Sequence, residues 1–318
     1  MRLSRLLWMV VLFSCAGASL AQAYPDRPLR LIVPFGAGGN SDFAARQIGK
    51  NLGEALGQTV VVENRGGAGG VLGVKEMLGY PADGYTLLLG TVGTQIVNPL
   101  LYKSLPYDPD KQLAPVGLAT NTPSVLVVRA SLPVRSLDEL VAYARARPGV
   151  LNYGAAGTLH LGMETLKASY GLDIVKVPYK GSGESVTAVA GGQIDVLMDS
   201  SQVVGPQVAA GKLRALAVMS DQPLASVPGV PTTAQLGVPD LKAGNWTALY
   251  VAAGTPAAIQ ETLSRALQKV VASAELKARL AEYGTQLYKG SPEEYRTFIA
   301  ADKAKVRRLV EIAGLQAQ

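Results

Sequence analysis

The sequence predicts an α/β protein of two lobes, each a mainly parallel sheet flanked by helices, with the chain crossing between them twice. Three observations carry that expectation. Short apolar runs alternate with helical periods, the pattern of parallel strands covered by helices on both faces. Two stretches share one design, "VPFGAGGNSD" (33–42) and "VPYKGSGES" (177–185): each ends an apolar run in Val-Pro, an aromatic residue and a glycine-rich turn. Composition shifts near 115–121 and 239–246 mark the crossings. Residues 121–246 then form an inserted second lobe, and 24–120 with 247–318 form the first, discontinuous one.

The elements follow in order. Residues 29–33 read as a strand, after which Ala44, Ala45, Ile48, Leu52, Ala55 and Leu56 share one helical face. Residues 59–63 are β-rich and precede the loop "NRGGAGG" and a helix over 71–78. "DGYTLLLGT" is a turn and a strand ending at Thr91. A strand over 124–129 leads to Ser136 and Glu139, a capping-box start for a helix over 137–147. Strands over 151–154, 174–177, 194–198 and 213–219 alternate with helices over 160–170, 184–190 and 203–210. "TALYVAA" (247–253) is expected to be the last strand, with helices over 256–272, 274–283 and 292–312 closing the chain.

With 318 residues, 48% hydrophobic and 17% charged, the chain can bury a sizeable core. The first 23 residues read separately: Arg2 and Arg5, an apolar run from Leu6 to Phe13, and Ala21-Gln22-Ala23 in A-x-A form make a secretory signal cleaved after Ala23. Cys15, in a loose lipobox, is the alternative as a lipidation site. Cys15 is the only cysteine, so no disulfide is expected after export. Removing Arg2 and Arg5 from the 30 basic residues leaves 28 against 24 acidic ones, spread along the chain. The basic cluster Lys303, Lys305, Arg307 and Arg308 reads as a solvated helix face, so no nucleic-acid partner is expected. No later run reaches the length of a membrane-spanning helix, so the mature chain is not expected to span a membrane.

Each glycine turn leads from a strand into a helix start, where backbone N–H groups lack intrahelical partners. Such ends hold anions. A helix dipole contributes about 0.3–1 kcal/mol at an exposed site, whereas each hydrogen bond to a charged group contributes about 1.5–3 kcal/mol. Several amides therefore outweigh the dipole and can hold a carboxylate without an arginine. That fits two loops whose one cation is Lys180. A phosphate loop would need Gly-Lys-Ser/Thr, and a dinucleotide fingerprint would need glycine where Ser41 stands.

The chain resembles the Bug-type substrate-binding proteins, the extracytoplasmic receptors of tripartite tricarboxylate transporters. The similarity rests on "VPFGAGGNSDFAAR", "VVVENRGGAGGVLG", "PADGYTLLLGT", "NPLLYKSLPYDP", "LNYGAAG", "VPYKGSGES", "GGQIDVLMD", "GKLRALAV", "VPTTAQLG" and "AAGTPAAI", which keep order over most of the chain. The resemblance implies a two-lobed periplasmic binding protein of type II-like fold, a small organic acid or amino acid as ligand, no cofactor and no catalysis. It implies permease subunits, or a sensor domain, as partners of a monomer. The first loop matches at Phe35, Gly38, Gly39 and Asp42, with Gly36, Ala37 and Ser41 among its expected ligand-facing positions. Thr91 and Thr94 match a ligand-facing strand end. Ala155, Ala156, Gly157 and His160 match the loop entering the second lobe. Tyr179, Lys180 and Gly181 match the second glycine turn, and Asp199 the strand end opposite. This chain departs from the family pattern at Gly36, Ala37 and Gly66, where proline is common, and its 157–160 loop is shorter.

Several residues have plainer readings. His160 is the only histidine, at a helix start, and with no cysteine in the mature chain no metal site is expected. Asp42 either recognises an ammonium group on the ligand or caps its helix. Asp199 stands between a pocket role and a strand-end role. Glu63, Asn64 and Arg65 are expected to tie a loop down. The alternative function is an exported α/β hydrolase using Ser41 or Ser182 with His160, although no G-x-S-x-G elbow is present.

Overall fold

A computed structural model describes residues 24–156, 160–179, 181–288 and 291–312, with Gly314 and Ala317. The expected leader, Gly157 and Lys180 lie outside the described residues. Among the described residues ten strands hydrogen-bond into one system, eight along a single path and two more pairing only with its longest strand, and the whole divides into two sheets that share that long strand.

In the first sheet β1 (Leu29–Val33) lies parallel between β2 (Val60–Asn64) and β3 (Thr86–Thr91). Beyond β3 come β9 (Gly244–Ala252), β4 (Leu113–Arg129) and the short β10 (Gln286–Leu287), all antiparallel to their neighbours. In the second sheet β5 (Asn152–Ala156) lies parallel between β6 (Val175–Tyr179) and β7 (Val196–Ser200). The far half of β4 pairs antiparallel with β7 on one side and β8 (Leu213–Val218) on the other. Each lobe is thus a parallel trio extended by antiparallel strands, more mixed than the mainly parallel sheets expected. Of the antiparallel members, β4 carries the chain from the first sheet into the second and β9 brings it back.

Helices cover both faces. On the first sheet, α1 (Asn40–Leu56) and α9 (Ala257–Val271) share a core with β1 and β3 through Ala45, Ile48, Leu52, Leu263 and Leu267. The other face takes α2 (Val71–Leu78) and α11 (Pro292–Ile312) through Val74, Met77, Tyr295 and Val306. The second sheet packs α5 (Leu137–Arg145) and α6 (His160–Tyr170) on one face, and α7 (Ser182–Ala190) and α8 (Ser201–Ala209) on the other. The short α3 (Asn98–Leu101) and α4 (Pro109–Gln112) precede β4, and α10 (Ala274–Ala281) follows α9. Among the described residues no helix is long and apolar enough to cross a membrane.

Two corrections to the sequence reading concern the crossing region. β4 runs for 17 residues rather than six, because its first half carries Pro115, Gly117 and Pro123, which read as breakers. The ladder shifts register between Pro115 and Gly117 and again between Leu118 and Thr120, and seats Pro123 opposite Gly244. The strand at 247–253 begins earlier, at Gly244, and is not the last: β10 follows, too short for any periodic signal. The two sheets meet where Pro123 pairs with Gly244 and the Ser124 N–H donates to the Ala243 carbonyl at 2.9 Å.

Helix α11 spans that junction. It packs on α6 of the other sheet, with Leu161 sharing its apolar cluster with Val306 and Trp246. The Trp246 Nε1–H donates to Asp302 Oδ2 at 2.7 Å, and the indole meets Phe298 edge-on at 5.8 Å. Asp302→Ala is expected to cost about 1.5–3 kcal/mol, the usual range for a hydrogen bond to a charged group, read as a lowered urea midpoint with a shift in tryptophan emission.

Candidate functional site

The first glycine turn begins where β1 ends. After Pro34 the backbone turns through Gly38, whose φ of 82° is left-handed, and reaches Gly39, an extended N-cap without a side-chain cap bond. The helix start is closed from behind instead. Asp42 Oδ2 accepts from the Gly38 N–H at 3.0 Å and from Arg46 Nε at 3.1 Å, and Arg46 Nη2 lies 2.9 Å from Oδ1. Burial pushes the Asp42 carboxyl up, but the Arg46 guanidinium and the Gly38 N–H outweigh it and hold the group below its ordinary range. Asp42 is thus tied to Gly38 and Arg46 at the helix start. Asn64 Nδ2 donates to the Phe35 carbonyl at 3.2 Å, and Arg65 Nε to Glu76 Oε1 at 2.8 Å. These are the loop ties expected of that segment.

The loop after β2 reads in the sequence only as a connection, yet it joins the site. Gly67, Ala68, Gly69 and Gly70 have φ of 141°, 47°, 63° and 95°, a run of left-handed backbone in which Ala68 is the strained member. Asn98 Nδ2 and the Tyr102 hydroxyl donate to the Gly69 and Ala68 carbonyls, at 3.0 and 3.3 Å. The carbonyls are thereby taken up. Gly70 has no room for a side chain, since a Cβ there would stand 2.8 Å from Thr94 Cγ2.

The second glycine turn follows β6. Gly181 is the extended N-cap of α7, again without a side-chain cap bond, and its carbonyl accepts from the Ser185 N–H at 3.3 Å. Both glycine turns border one cavity of about 480 Å³, within the usual range for small-ligand sites. Its walls are Phe35, Gly36, Ala37, Gly39, Asn40 and Ser41 from the first turn, Gly66 to Gly70, Thr91, Tyr179, Gly181, Ser182 and Gly183, with Asn245 from β9. No charged side chain lines it among the described residues. What the walls offer is backbone N–H groups, hydroxyls and two carboxamides.

Of the expected site residues, Phe35, Gly36, Ala37, Gly39, Ser41, Thr91, Tyr179 and Gly181 thus border one cavity. Gly38, Asp42, Thr94, Ala155, His160 and Asp199 are not among its walls. Gly38 and Asp42 sit behind the turn, bonded to each other. Thr94 is buried, its Oγ1 accepting from the Thr91 N–H at 3.0 Å and its carbonyl from the Tyr107 hydroxyl at 2.7 Å. Ala155 is buried within β5, Ala156 ends that strand beside Tyr179, and His160 opens α6. Gly157 and Lys180 fall outside the described residues. The sequence reading misses Asn40, Ser182, Gly183, Gly66 to Gly70 and Asn245 as walls. All but Asn245 carry a signal, as glycine runs or neighbours of named positions; Asn245 has none.

Asp199 is fully buried at the end of β7. Its Oδ1 accepts from the Ser200 N–H at 2.7 Å and hydroxyl at 3.3 Å, while Oδ2 has no bond of good geometry among the described residues. Burial pushes the carboxyl up to about 6, with the Ser182 hydroxyl and the Ser200 groups opposing the shift. Ser182 also lines the cavity, so Asp199 stands one residue behind the wall.

A second cavity, about 310 Å³, lies at the crossing strands, bordered by Trp246, Tyr288, Phe298, Leu161 and Met219. Trp246 therefore stands away from the glycine turns, and its emission reports on the crossing.

Known proteins share this fold. Residues 44–315 match the model of the tripartite tricarboxylate transporter family receptor. Protein BugT of Bordetella pertussis is 37% identical over 322 residues, covering 99% of each chain. Among solved structures, R. palustris Rpa4515 with adipate superposes at a TM-score of 0.89 with 34% identity, over 93% of this chain and 100% of that one. The periplasmic binding protein BugD does so at 0.86 with 30% identity, over 93% and 100%. MatC from Rhodopseudomonas palustris with bound malate gives 0.81 with 30% identity, over 91% and 100%.

Proposed function

Because the chain belongs to the tripartite tricarboxylate transporter family of receptors, we propose that it is a periplasmic receptor that holds a small carboxylate-bearing molecule between its two lobes and presents it to permease subunits. The observation that carries the proposal is one cavity bordered by the glycine turns of both sheets and free of charged walls among the described residues. Adipate and malate in the two R. palustris structures support a carboxylate guest. The N–H groups of Gly36, Ala37, 39–41, 66–69 and 181–183 are the proposed anion donors, with Ser41, Ser182, Thr91 and Asn245 orienting the remainder and Phe35 and Tyr179 walling it. The proposed lobes are 24–120 with 247–318, and 121–246, in keeping with sheets that meet at Pro123 and Gly244. Two crossing strands without a helix between them make a hinge, so closure brings the second turn onto a guest held by the first.

The relatives named by function are binding proteins, which weighs against the hydrolase reading. So does geometry: Ser41 and Ser182 border the cavity while His160 does not.

Thermal melts against a panel of mono-, di- and hydroxy-carboxylates test the proposal. A guest at 100 times its Kd adds about 2.7 kcal/mol, a rise of several degrees. No rise with any acid, together with ester turnover that is lost in His160→Ala, would favour the hydrolase.

A further inference from the structure

We propose that the carboxamide of Asn40 selects the guest, so that the preferred ligand is a carboxylate bearing a hydrogen-bond donor, hydroxyl or ammonium, on the carbon beside it. The inference rests on the carboxylate-receptor reading and narrows it.

Asn40 is the first residue of the 17-residue helix α1, lines the cavity and is 5% exposed. Neither its Oδ1 nor its Nδ2 has a hydrogen-bond partner among the described residues. Buried carboxamides are normally satisfied. Asn64 beside the same loop is, giving to the Phe35 carbonyl and accepting from Arg46 Nη2 at 3.4 Å. Asp42, two residues on, is committed to Gly38 and Arg46. Asn40 thus holds both a donor and an acceptor in reserve at the cavity wall.

The two orphaned atoms make different demands. Backbone N–H groups and Nδ2 all donate, and a bare carboxylate answers every one of them. Oδ1 accepts, and an ionised carboxylate has no proton to give it. A 2-hydroxy or 2-amino group supplies that proton next to the carboxylate the turn would hold. A neutral carboxamide accepts from either group, and the nearby Asp42 charge that would favour ammonium is already paired. Reaching the guest takes a small movement of the turn. A methyl added at Gly36, Gly38 or Gly39 would meet nothing within 4 Å, so the backbone there has room to move.

The test is calorimetric titration of matched acids into the wild type, Asn40→Ala and Asn40→Asp: succinate, malate and aspartate, then propionate, lactate and alanine. The wild type is expected to prefer the donor-bearing acids by about tenfold, or about 1.4 kcal/mol. Asn40→Ala is expected to bring that preference within about threefold and, by removing the Nδ2 donor, to weaken the unsubstituted acids by about tenfold as well. Asn40→Asp keeps the shape, so it covers the case in which alanine disturbs the turn. It is expected to weaken the unsubstituted acids and favour the amino acids. If no acid binds the wild type, the receptor reading fails and this inference with it. If unsubstituted acids bind as well as their hydroxylated partners, or both variants leave the preference intact, the receptor reading stands and this inference is overturned.

Discussion

Gly36→Asp is expected to weaken carboxylate binding by at least about 100-fold while leaving the fold intact. Gly36 borders the cavity, its φ is not left-handed, and a Cβ there would meet nothing within 4 Å. The substitution therefore places a fixed negative charge beside the guest without straining the turn. Two elementary charges 4 Å apart repel by about 4 kcal/mol at an effective dielectric constant of 20, more than enough for that loss. Gly36→Asn is the neutral control of the same shape and is expected to lose no more than about tenfold. Calorimetry supplies the affinities, and melting temperatures within about 2 °C of the wild type establish that both variants fold. Equal losses from the two substitutions would show that bulk, not charge, governs the cavity.

The second large effect concerns stability. Asp199 is buried with a carboxyl pushed up to about 6 from its ordinary 3.8. A group whose folded value is raised stabilises the fold while protonated. Its contribution is present below the unfolded value and is lost as the pH rises through about 4 to 6. Above that window the folded protein carries a buried charge at a cost of about 3 kcal/mol, since each tenfold change in proton affinity is worth about 1.4 kcal/mol. Asp199→Asn keeps an acceptor for the Ser200 N–H and removes the charge. It is expected to match the wild type near pH 4 and to exceed it by up to about 3 kcal/mol above pH 6, measured as urea midpoints across pH 4–8. The paired Asp42 carboxyl shifts the other way and loses stability as the pH falls, but it is present in both proteins and cancels in the difference. A constant difference across the range would mean that Asp199 does not titrate there.

The fold is legible wherever local rules act alone. Helix α1 announces itself by Ala44, Ala45, Ile48 and Leu52, all of which are buried, and ends at Gly57 with a left-handed φ of 70°. Ser136 caps α5 by accepting from the Glu139 N–H at 3.1 Å, as its spacing predicts. Long-range pairing is harder to read. β4 contains residues that forbid a strand by local propensity, and only its neighbours β9, β7 and β8 make it one. The site divides in the same way. The repeated Val-Pro-aromatic-glycine turns name both ends of the cavity, because a turn that needs glycine is visible in one sequence. Asn245 enters from a strand about 200 residues along the chain, and the Gly66 to Gly70 wall looks like any connecting loop until the fold sets it on the same cavity as Ser182. Asp42 and Thr94 show the converse. Both lie inside the motifs, but their side chains hold the turns in shape from behind the cavity wall.

Glycine amides from both turns can be watched at once. With only glycine labelled with ¹⁵N, a carboxylate that raises the melting temperature is titrated while the backbone N–H signals are recorded. Signals from Gly36, Gly39, Gly66, Gly67, Gly69, Gly70 and Gly181 are expected to move together and saturate at one guest per chain. Gly211 and Gly229, in exposed turns of the second lobe, are expected to stay still. Movement of one turn without the other, or a guest that saturates the protein and leaves both sets unmoved, would contradict a carboxylate held between paired glycine turns.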